Sequence, residues 1–264
     1  MRGVNSTANR SKANADTSLP VVTILGVPFT LATFEEGIER IEALLALPGS
    51  TRQVVLANAH TLNLATDDAG YRDVLAQAPL VLRDGIGLEI AARLAGAEPG
   101  HNFVGTDFVP ALLRVLGARL AGVSVYLLGA RDGVALAAAR TLRERTPGLR
   151  VAGVEPGYGD LAGAVGRIRA ARPDVLLVAL GNPLQERWIH AHGDQLGASV
   201  AIGVGALLDY LGGGVPRAPR WLLRMRGEWL FRLLVEPRRL WRRYVVGIPR
   251  FLVRVALDRG RDGI

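Results

Sequence analysis

Several polar side chains that could carry out chemistry follow directly on apolar stretches of the chain. Asp84 comes shortly after the apolar run 79–82 and precedes Gly85. A carboxylate at the carboxyl end of a strand faces the usual ligand crevice of a parallel sheet and could act as a general base towards a hydroxyl group. The same residue could instead cap a helix that begins near Ile86. The residues alone leave these two interpretations open.

The segment 181–186, GNPLQE, follows another apolar run in the same way. Asn182 is suited to the N-cap of a helix and Pro183 to its first position, so the amides from Gly181 onward would be free to bind a phosphate. Gln185 falls in the predicted first turn, where it could meet a ligand. Ordinary helix capping is the alternative explanation of this segment.

Weaker candidates lie at three other strand ends. Asn58 is suited to a polar ligand contact. Gly205 and Asp209 follow the run 200–204, and Asp209 could contact a ribose or a base, although an exposed helix aspartate is the alternative. The turn 129–133, GARDG, lacks the full dinucleotide fingerprint. A nucleotide-sugar dehydrogenase or epimerase is therefore disfavoured.

These polar side chains follow predicted strands, which are apolar runs separated by helical segments. Such runs are typical of a parallel sheet that is covered on both faces. We predict an α/β fold with a doubly wound, mostly parallel, Rossmann-like sheet and a helical, arginine-rich C-terminal appendage. The ligand site of such a sheet lies beyond the carboxyl ends of its strands, where the polar candidates converge. The predicted strands cover residues 54–57, 79–82, 123–128, 151–154, 175–180 and 200–204, after a hairpin at 21–30.

The positive charge of the chain is concentrated at its end. The net charge is +8, and residues 215–264 hold 13 arginines and four acidic residues, so the preceding residues carry a net charge of −1. This asymmetry indicates an acidic partner, such as nucleic acid, anionic lipid or a phosphorylated substrate. We divide the chain into a disordered leader (1–19), an α/β core (20–213) and a basic amphipathic helical appendage (214–264).

The composition also excludes some kinds of site. The chain has no cysteine and only four histidines, and no two aspartates stand two positions apart. Disulfides, thiol catalysis and cysteine-ligated zinc are excluded, and we expect no metal site and no cofactor. No apolar run reaches the roughly 18 residues of a membrane-spanning helix, so we expect a cytoplasmic protein.

Taken in order, these segments resemble the WecG/TagA/CpsF glycosyltransferases, also called glycosyltransferase family 26. The resemblance covers residues 21–252. It rests on seven pieces of sequence, namely Asn58, DGIG (84–87), GNPLQE (181–186), GVGA (203–206) with Asp209, RAP (217–219), EWLFRL (228–233), and EPRRL (236–240) continuing to RY (243–244).

The resemblance implies an inverting, metal-independent enzyme of cell-surface polysaccharide synthesis. Such an enzyme moves a hexose or an N-acetylhexosamine from a UDP-sugar to a polyprenyl-pyrophosphate-linked sugar. By position, Asp84 matches the family's proposed base, Asn58 and Gln185 match its active-site polar residues, and Asp209 matches a nucleotide contact. Members often carry a threonine where this chain has Leu56.

The appendage is the second part of the resemblance. Three arginines match those that the family brings over its active site, namely Arg232, Arg239 and Arg242. Arginines among tryptophans and leucines also suit an anionic membrane surface, so we expect a peripheral protein on the inner face of the cell membrane. A nucleic-acid-binding protein that uses the basic aromatic tail is the alternative, and we expect no nucleic acid partner for the enzyme. The oligomeric state is left open, a homo-oligomer included.

Overall fold

The chain folds around a six-stranded parallel sheet. The computed structural model describes residues 19–216, 218, 219, 222 and 228–259. The sheet has the strand order β4-β3-β8-β7-β5-β6, and β1 and β2 form a separate antiparallel hairpin. This confirms the predicted α/β fold and parallel sheet. The strands are β1 (Val21–Ile24), β2 (Val27–Thr30), β3 (Arg52–Ala57), β4 (Leu80–Arg83), β5 (Ser124–Gly129), β6 (Arg150–Glu155), β7 (Val175–Ala179) and β8 (Val200–Gly203).

Helices cover both faces of this sheet. The N-cap of the first helix is Thr33. Its hydroxyl accepts a hydrogen bond from the Glu36 amide (3.2 Å), and the Glu36 carboxylate accepts one from the Thr33 amide (2.7 Å). The helices before residue 216 are α1 (Phe34–Ala46), α2 (Ala59–Asp67), α3 (Ala69–Ala76), α4 (Ile86–Leu94), α5 (Gly105–Arg119), α6 (Asp132–Arg145), α7 (Leu161–Ala171), α8 (Leu184–Leu196) and α9 (Leu207–Leu211).

The C-terminal segment is helical as well. It consists of α10 (Glu228–Val235), α11 (Pro237–Trp241), a π-helical turn (Arg242–Val246) and α12 (Gly247–Arg259). Within the described residues, no helix is both long enough and apolar enough to span a bilayer. The predicted leader lies outside the described residues except for Leu19, and so does Arg217 of the RAP segment.

Helix α12 is packed into the core. Phe251 is fully buried and Val255 nearly so, and both belong to the hydrophobic cluster that contains Leu62 of α2 and Leu88 of α4. The side chain of Arg254 donates hydrogen bonds to the carbonyl oxygen of Asn63 (2.9 Å) and to its Oδ1 (3.1 Å). The predicted boundary near residue 213 marks a change in composition. Helix α12, which follows it, packs into the same hydrophobic core as α2 and α4.

Candidate active site

A cavity of about 1600 Å³ lies at the carboxyl ends of the sheet strands. The loops that follow β3, β4, β5, β6, β7 and β8 all contribute to its lining, as expected for a doubly wound sheet. The structure thereby brings together residues that are far apart in the sequence. The predicted site residues that line the cavity are Asn58, Asp84, Gly181, Asn182, Gln185, Gly205, Asp209 and Arg232.

The position of Asp84 at the carboxyl end of β4 is fixed by hydrogen bonds of its own amide and of the following amide. Its amide donates to the carbonyl oxygen of Ala57 on the neighbouring strand (2.6 Å), and the amide of Gly85 donates to Oδ1 of Asn102 (2.7 Å). Gly85 has a φ of 96°, which favours glycine, and it is the N-cap of α4 without a side-chain cap. The N-cap position of α4 is thus held by Gly85, and Asp84 precedes it.

Asn58 and His60 lie at the start of α2, on the same wall as Asp84. The Asn58 carboxamide oxygen accepts hydrogen bonds from the amides of His60 (3.1 Å) and Thr61 (3.3 Å), which makes Asn58 the N-cap of α2. No hydrogen bond described for this part of the chain uses its amide nitrogen, which is therefore the group that can meet a ligand. Burial, and then the positive charge of Arg243, lower the pKa of His60 from 6.5 to about 4. His60 is therefore neutral at pH 7.

The side chain of Gln185 connects two of the turns that line the cavity. Its carboxamide oxygen accepts hydrogen bonds from the amide of Gly181 (3.2 Å), after β7, and from the amide of Gly205 (3.1 Å), after β8. Its nitrogen donates to Oε1 of Glu186 (2.7 Å), and the residue is 3% exposed. The carboxamide of Gln185 is thus committed to protein groups and fixes the positions of both glycine turns.

Glu186 is a buried carboxylate behind this pair of turns. It is 1% exposed, and besides Gln185 it accepts hydrogen bonds from the Asn182 amide nitrogen and from the Tyr71 hydroxyl (2.9 Å each). Burial raises the pKa of Glu186, and these hydrogen bonds oppose the rise. Burial, followed by the negative charge of Glu186, raises the pKa of Tyr71 above its ordinary value, so the phenol stays a neutral donor. This network determines how the carboxamides of Asn182 and Gln185 are oriented.

The start of α8 differs from the prediction. The helix begins at Leu184 with Pro183 at the N-cap, one residue later than the sequence indicated, and Asn182 makes no cap. The Asn182 side chain instead donates its amide nitrogen to Glu186. Asn182 still lines the cavity, as does Gly181.

The wall opposite Asp84 carries positively charged and aromatic side chains. Arg131 follows β5, and Tyr158 follows β6 with 83% of its surface exposed. Asp209 lies on α9, and the guanidinium of Arg232 on α10 stands 5.6 Å from the ring centroid of the adjacent Tyr210. Cations and exposed rings together suit a ligand with phosphate groups and a planar base.

The C-terminal segment contributes the remaining side of the cavity. Trp229 on α10 and Tyr244 in the π-helical turn both line it, and their rings meet edge to face with centroids 6.1 Å apart. Arg243 also lines the cavity. Arg242 does not, and its guanidinium lies 5.4 Å from the ring centroid of Trp241. Arg239 belongs to α11, and its side chain lies outside the part that the structure describes.

Several residues of the site were not predicted from the sequence, among them Arg243, Tyr158, Asn102 and Tyr71. Arg243 could have been found from the sequence, because it stands beside Arg242, which was predicted to reach the active site. Tyr158 lies between glycines after a strand, which is a weak signal. Asn102 and Tyr71 give no local signal, because each acts through a partner that is distant in the chain.

The described residues include no group of three or more His, Asp or Glu side chains that could hold a metal ion. The cationic side chains in the described lining of the cavity are those of Arg131, Arg232 and Arg243. Arginine binds phosphate through two parallel hydrogen bonds, which makes these side chains suitable for a diphosphate.

Comparisons with known proteins identify the family of the chain. A family model described as "Glycosyl transferase WecG/TagA/CpsF family" matches residues 22–263. Similar proteins include the N-acetylglucosaminyldiphosphoundecaprenol N-acetyl-beta-D-mannosaminyltransferases of Staphylococcus aureus strains NCTC 8325 / PS 47 and COL. Each is 32% identical to this chain over 238 residues, which is 89% of this chain and 92% of the relative.

Proposed function

The chain belongs to the WecG/TagA/CpsF family of glycosyltransferases, and from that premise we propose that it transfers an N-acetylhexosamine or a hexose from a UDP-sugar to a polyprenyl-diphosphate-linked sugar. The relatives are named for the transfer of N-acetylmannosamine to N-acetylglucosaminyldiphosphoundecaprenol. A donor of the N-acetylmannosamine type is therefore the first candidate. The product serves as a lipid-linked precursor of a cell-surface polysaccharide.

The observation that supports this proposal best is the set of charged side chains that line the cavity. The carboxylate of Asp84 and the guanidinium groups of Arg131, Arg232 and Arg243 all line it. Glycosyl transfer needs groups of both kinds. The attacking hydroxyl requires a base, and the departing UDP requires positive charge.

In the proposed mechanism the reaction is a single displacement. The acceptor hydroxyl oxygen forms a bond to the anomeric carbon while its proton passes to Asp84, and the bond between that carbon and the UDP oxygen breaks. The electron pair leaves with UDP, and the anomeric configuration inverts. Arg232 and Arg243 stabilise the negative charge that develops on the diphosphate, since a charged donor in a partly enclosed site gains strength over one in water.

We propose that no metal ion takes part. The support is that the described residues lack a group of metal ligands, while three arginines line the cavity. Gln185 and Glu186 are assigned positioning roles in this proposal, because their polar atoms bind other protein groups. Asn58 is assigned to substrate binding through its amide nitrogen, and Asp209 to the nucleotide.

We further propose that the C-terminal segment contacts an anionic membrane surface. Apolar side chains that are largely exposed stand beside basic ones there. Leu234 is 72% exposed, and Trp241, Val245 and Val246 are also exposed, with Arg242 among them. Such a surface gains from apolar burial in the lipid interface and from roughly 1 kcal/mol per basic residue near anionic lipid.

The nucleic-acid alternative has less support than it had from the sequence. Arg250 and Arg254 of the basic tail form ion pairs with Asp67 of α2. Trp229 and Tyr244 line the cavity and contact each other. These side chains contribute to the enzyme site and its packing, so they are less available as a stacking platform for bases.

The experiment that tests the proposed function is an assay of acceptor-dependent UDP release. A panel of UDP-sugars is incubated with the protein and an N-acetylglucosaminyl-diphosphate-lipid analogue, and the disaccharide product is identified by mass. We expect turnover with at least one N-acetylhexosamine or hexose donor. Release of UDP that is the same with and without acceptor, for every donor in the panel, contradicts the proposal.

A further inference from the structure

Two rows of exposed apolar side chains begin at the cavity and run away from it. The first row lies on α4 and the second on α12, each with a spacing of four residues. Ile86 and Pro249 stand at the start of the rows, and both line the cavity. We call these side chains the apolar track, and it consists of Ile86, Ile90, Leu94, Pro249, Val253 and Leu257.

The side chains of the track are exposed although they are large and apolar. Ile86 is 42% exposed and Ile90 and Leu94 are 38% exposed, while Val253 and Leu257 reach 57% and 67%. Residues four positions apart lie on the same side of a helix, so each row forms a continuous stripe. At 1.5 Å per residue each stripe is about 12 Å long.

The two rows lie next to each other because α4 and α12 pack together. A Cβ placed on Gly87 of α4 would come within 3.6 Å of the ring of Phe251 on α12. Gly87 directly follows Ile86, and Phe251 stands two positions after Pro249. Both helices therefore start at the cavity and meet near their first turns, and Leu88 and Val255 belong to one hydrophobic cluster.

We propose that the apolar track binds the polyprenyl chain of the acceptor, an inference that rests on the proposed function. The acceptor's sugar must reach Asp84, and Ile86 is only two residues further along the chain. The lipid chain is joined to that sugar through the acceptor's diphosphate, so it leaves the site close to Ile86, at the cavity edge where the track begins. Burial of isoprenoid methyl and methylene groups against these side chains supplies affinity for the lipid-linked acceptor.

A protein partner fits this surface less well. Six partly exposed side chains present a few hundred Å² of apolar surface, which is less than the roughly 800 Å² that each partner of a stable complex buries. The track is also continuous with the cavity. A narrow apolar strip that leads out of a site for a charged head group matches one extended hydrocarbon chain.

The test compares two acceptors in solution without vesicles or detergent. One is N-acetylglucosaminyl diphosphate with a farnesyl chain, and the other has a methyl group instead. Ile90→Asn and Leu94→Asn change the track, and Leu136→Asn changes a leucine on α6 that is 54% exposed and does not line the cavity. The quantity measured is the ratio of kcat/KM for the farnesyl acceptor to kcat/KM for the methyl acceptor, which cancels any general loss of activity.

We expect wild-type protein and Leu136→Asn to share one ratio, and the two track variants to lower it about five- to tenfold, because each loses contact with part of the chain. An equal ratio in all four proteins overturns the proposal. So does a result in which the track variants lose binding to anionic vesicles but keep the ratio, because the track is then a bilayer contact.

Failure of the proposed function gives a different result. In that case no UDP-sugar supports transfer to either acceptor, and direct binding of the farnesyl acceptor, measured by calorimetric titration, decides the role of the track. Weaker binding by Ile90→Asn and Leu94→Asn than by Leu136→Asn supports the track. Equal binding by all three overturns it.

Discussion

Replacing Gln185 by methionine tests whether this side chain locks the two glycine turns or contacts the substrate. Methionine has a similar length but cannot accept the hydrogen bonds of Gly181 and Gly205 or donate to Glu186. Each buried polar group left without a partner costs about 1–3 kcal/mol. The glycine amides line the cavity, where water can replace part of the loss, so we expect a decrease of about 2–4 kcal/mol in the free energy of unfolding.

The catalytic effect should accompany the loss of stability. Both turns line the cavity, and a displacement of about 1 Å in a positioned group can cost about 10²-fold in rate. Urea unfolding and kcat/KM are measured on the same preparations of wild type and Gln185→Met. If activity falls while the free energy of unfolding stays unchanged, Gln185 acts on the substrate directly and the positioning role is refuted.

Gly203→Ala disturbs the side chains of Gln185 and Glu186 without removing a hydrogen-bonding group. A Cβ at Gly203 would lie 2.7 Å from Nε2 of Gln185 and 3.0 Å from Oε1 of Glu186, so these buried side chains must shift. We expect a loss of about 1–3 kcal/mol in stability, as for other overpacked cores, together with a lower kcat/KM. Gly166→Ala is the matched control, since nothing lies within 4 Å of its Cβ position in α7. That change should leave activity as it is and raise stability by about 0.5–1 kcal/mol.

Three further predictions concern charge. Activity should persist in EDTA, and a complete loss that magnesium or manganese restores would show that a metal ion takes part. Arg243→Ala should lower kcat about 10²-fold, because it removes a donor to the leaving diphosphate. Arg238 lies on the exposed side of α11, so Arg238→Ala should change kcat little. Equal effects in the two variants contradict the role of Arg243. The lowered pKa of His60, about 4 against 6.5, means that the unfolded chain takes up a proton that the folded protein does not. The stabilising contribution of neutral His60 is therefore complete above pH 6.5 and is lost as the pH falls towards 4. After a discount for its solvent-facing part, wild type should lose roughly 1–2 kcal/mol more than His60→Asn between pH 7 and 4.5, and parallel unfolding curves for the two proteins contradict this.

Most of the sheet could be predicted from the sequence because its inner strands are buried on both faces. Strand β5 (Ser124–Gly129) is buried at every residue and is apolar apart from its first residue, Ser124. The polar residues that follow such runs must lie at the same edge of the sheet, which is why Asp84 and Asn182 could be assigned to one site before their contacts were known.

The details that escaped prediction depend on contacts between distant residues. Tyr71 and Glu186 are 115 positions apart, and only the fold shows that they share a hydrogen bond. The same network includes the Asn182 side chain, and α8 begins one residue later than predicted. Local capping preferences could not indicate this, because they describe a helix end without its tertiary partners.

The C-terminal arginines show a second limit of sequence reasoning. Neighbouring residues on a helix point in directions about 100° apart, so the choice between Arg242 and Arg243 depends on the helix register. The π-helical turn that begins at Arg242 sets this register, and Arg243 lines the cavity. The basic composition of the segment also gave no indication that Phe251 and Val255 are buried and pack α12 against the core.

In the proposed mechanism, Asp84 removes the proton from the acceptor hydroxyl during sugar transfer. The most direct test is the rate of acceptor-dependent UDP formation by Asp84→Asn at saturating donor and acceptor, with its unfolding curve as a check of the fold. Asparagine keeps the shape of the side chain but cannot act as the base, so we expect kcat to fall by about 10²–10⁴-fold in a protein of nearly wild-type stability. A folded Asp84→Asn protein that turns over at close to the wild-type rate contradicts the claim.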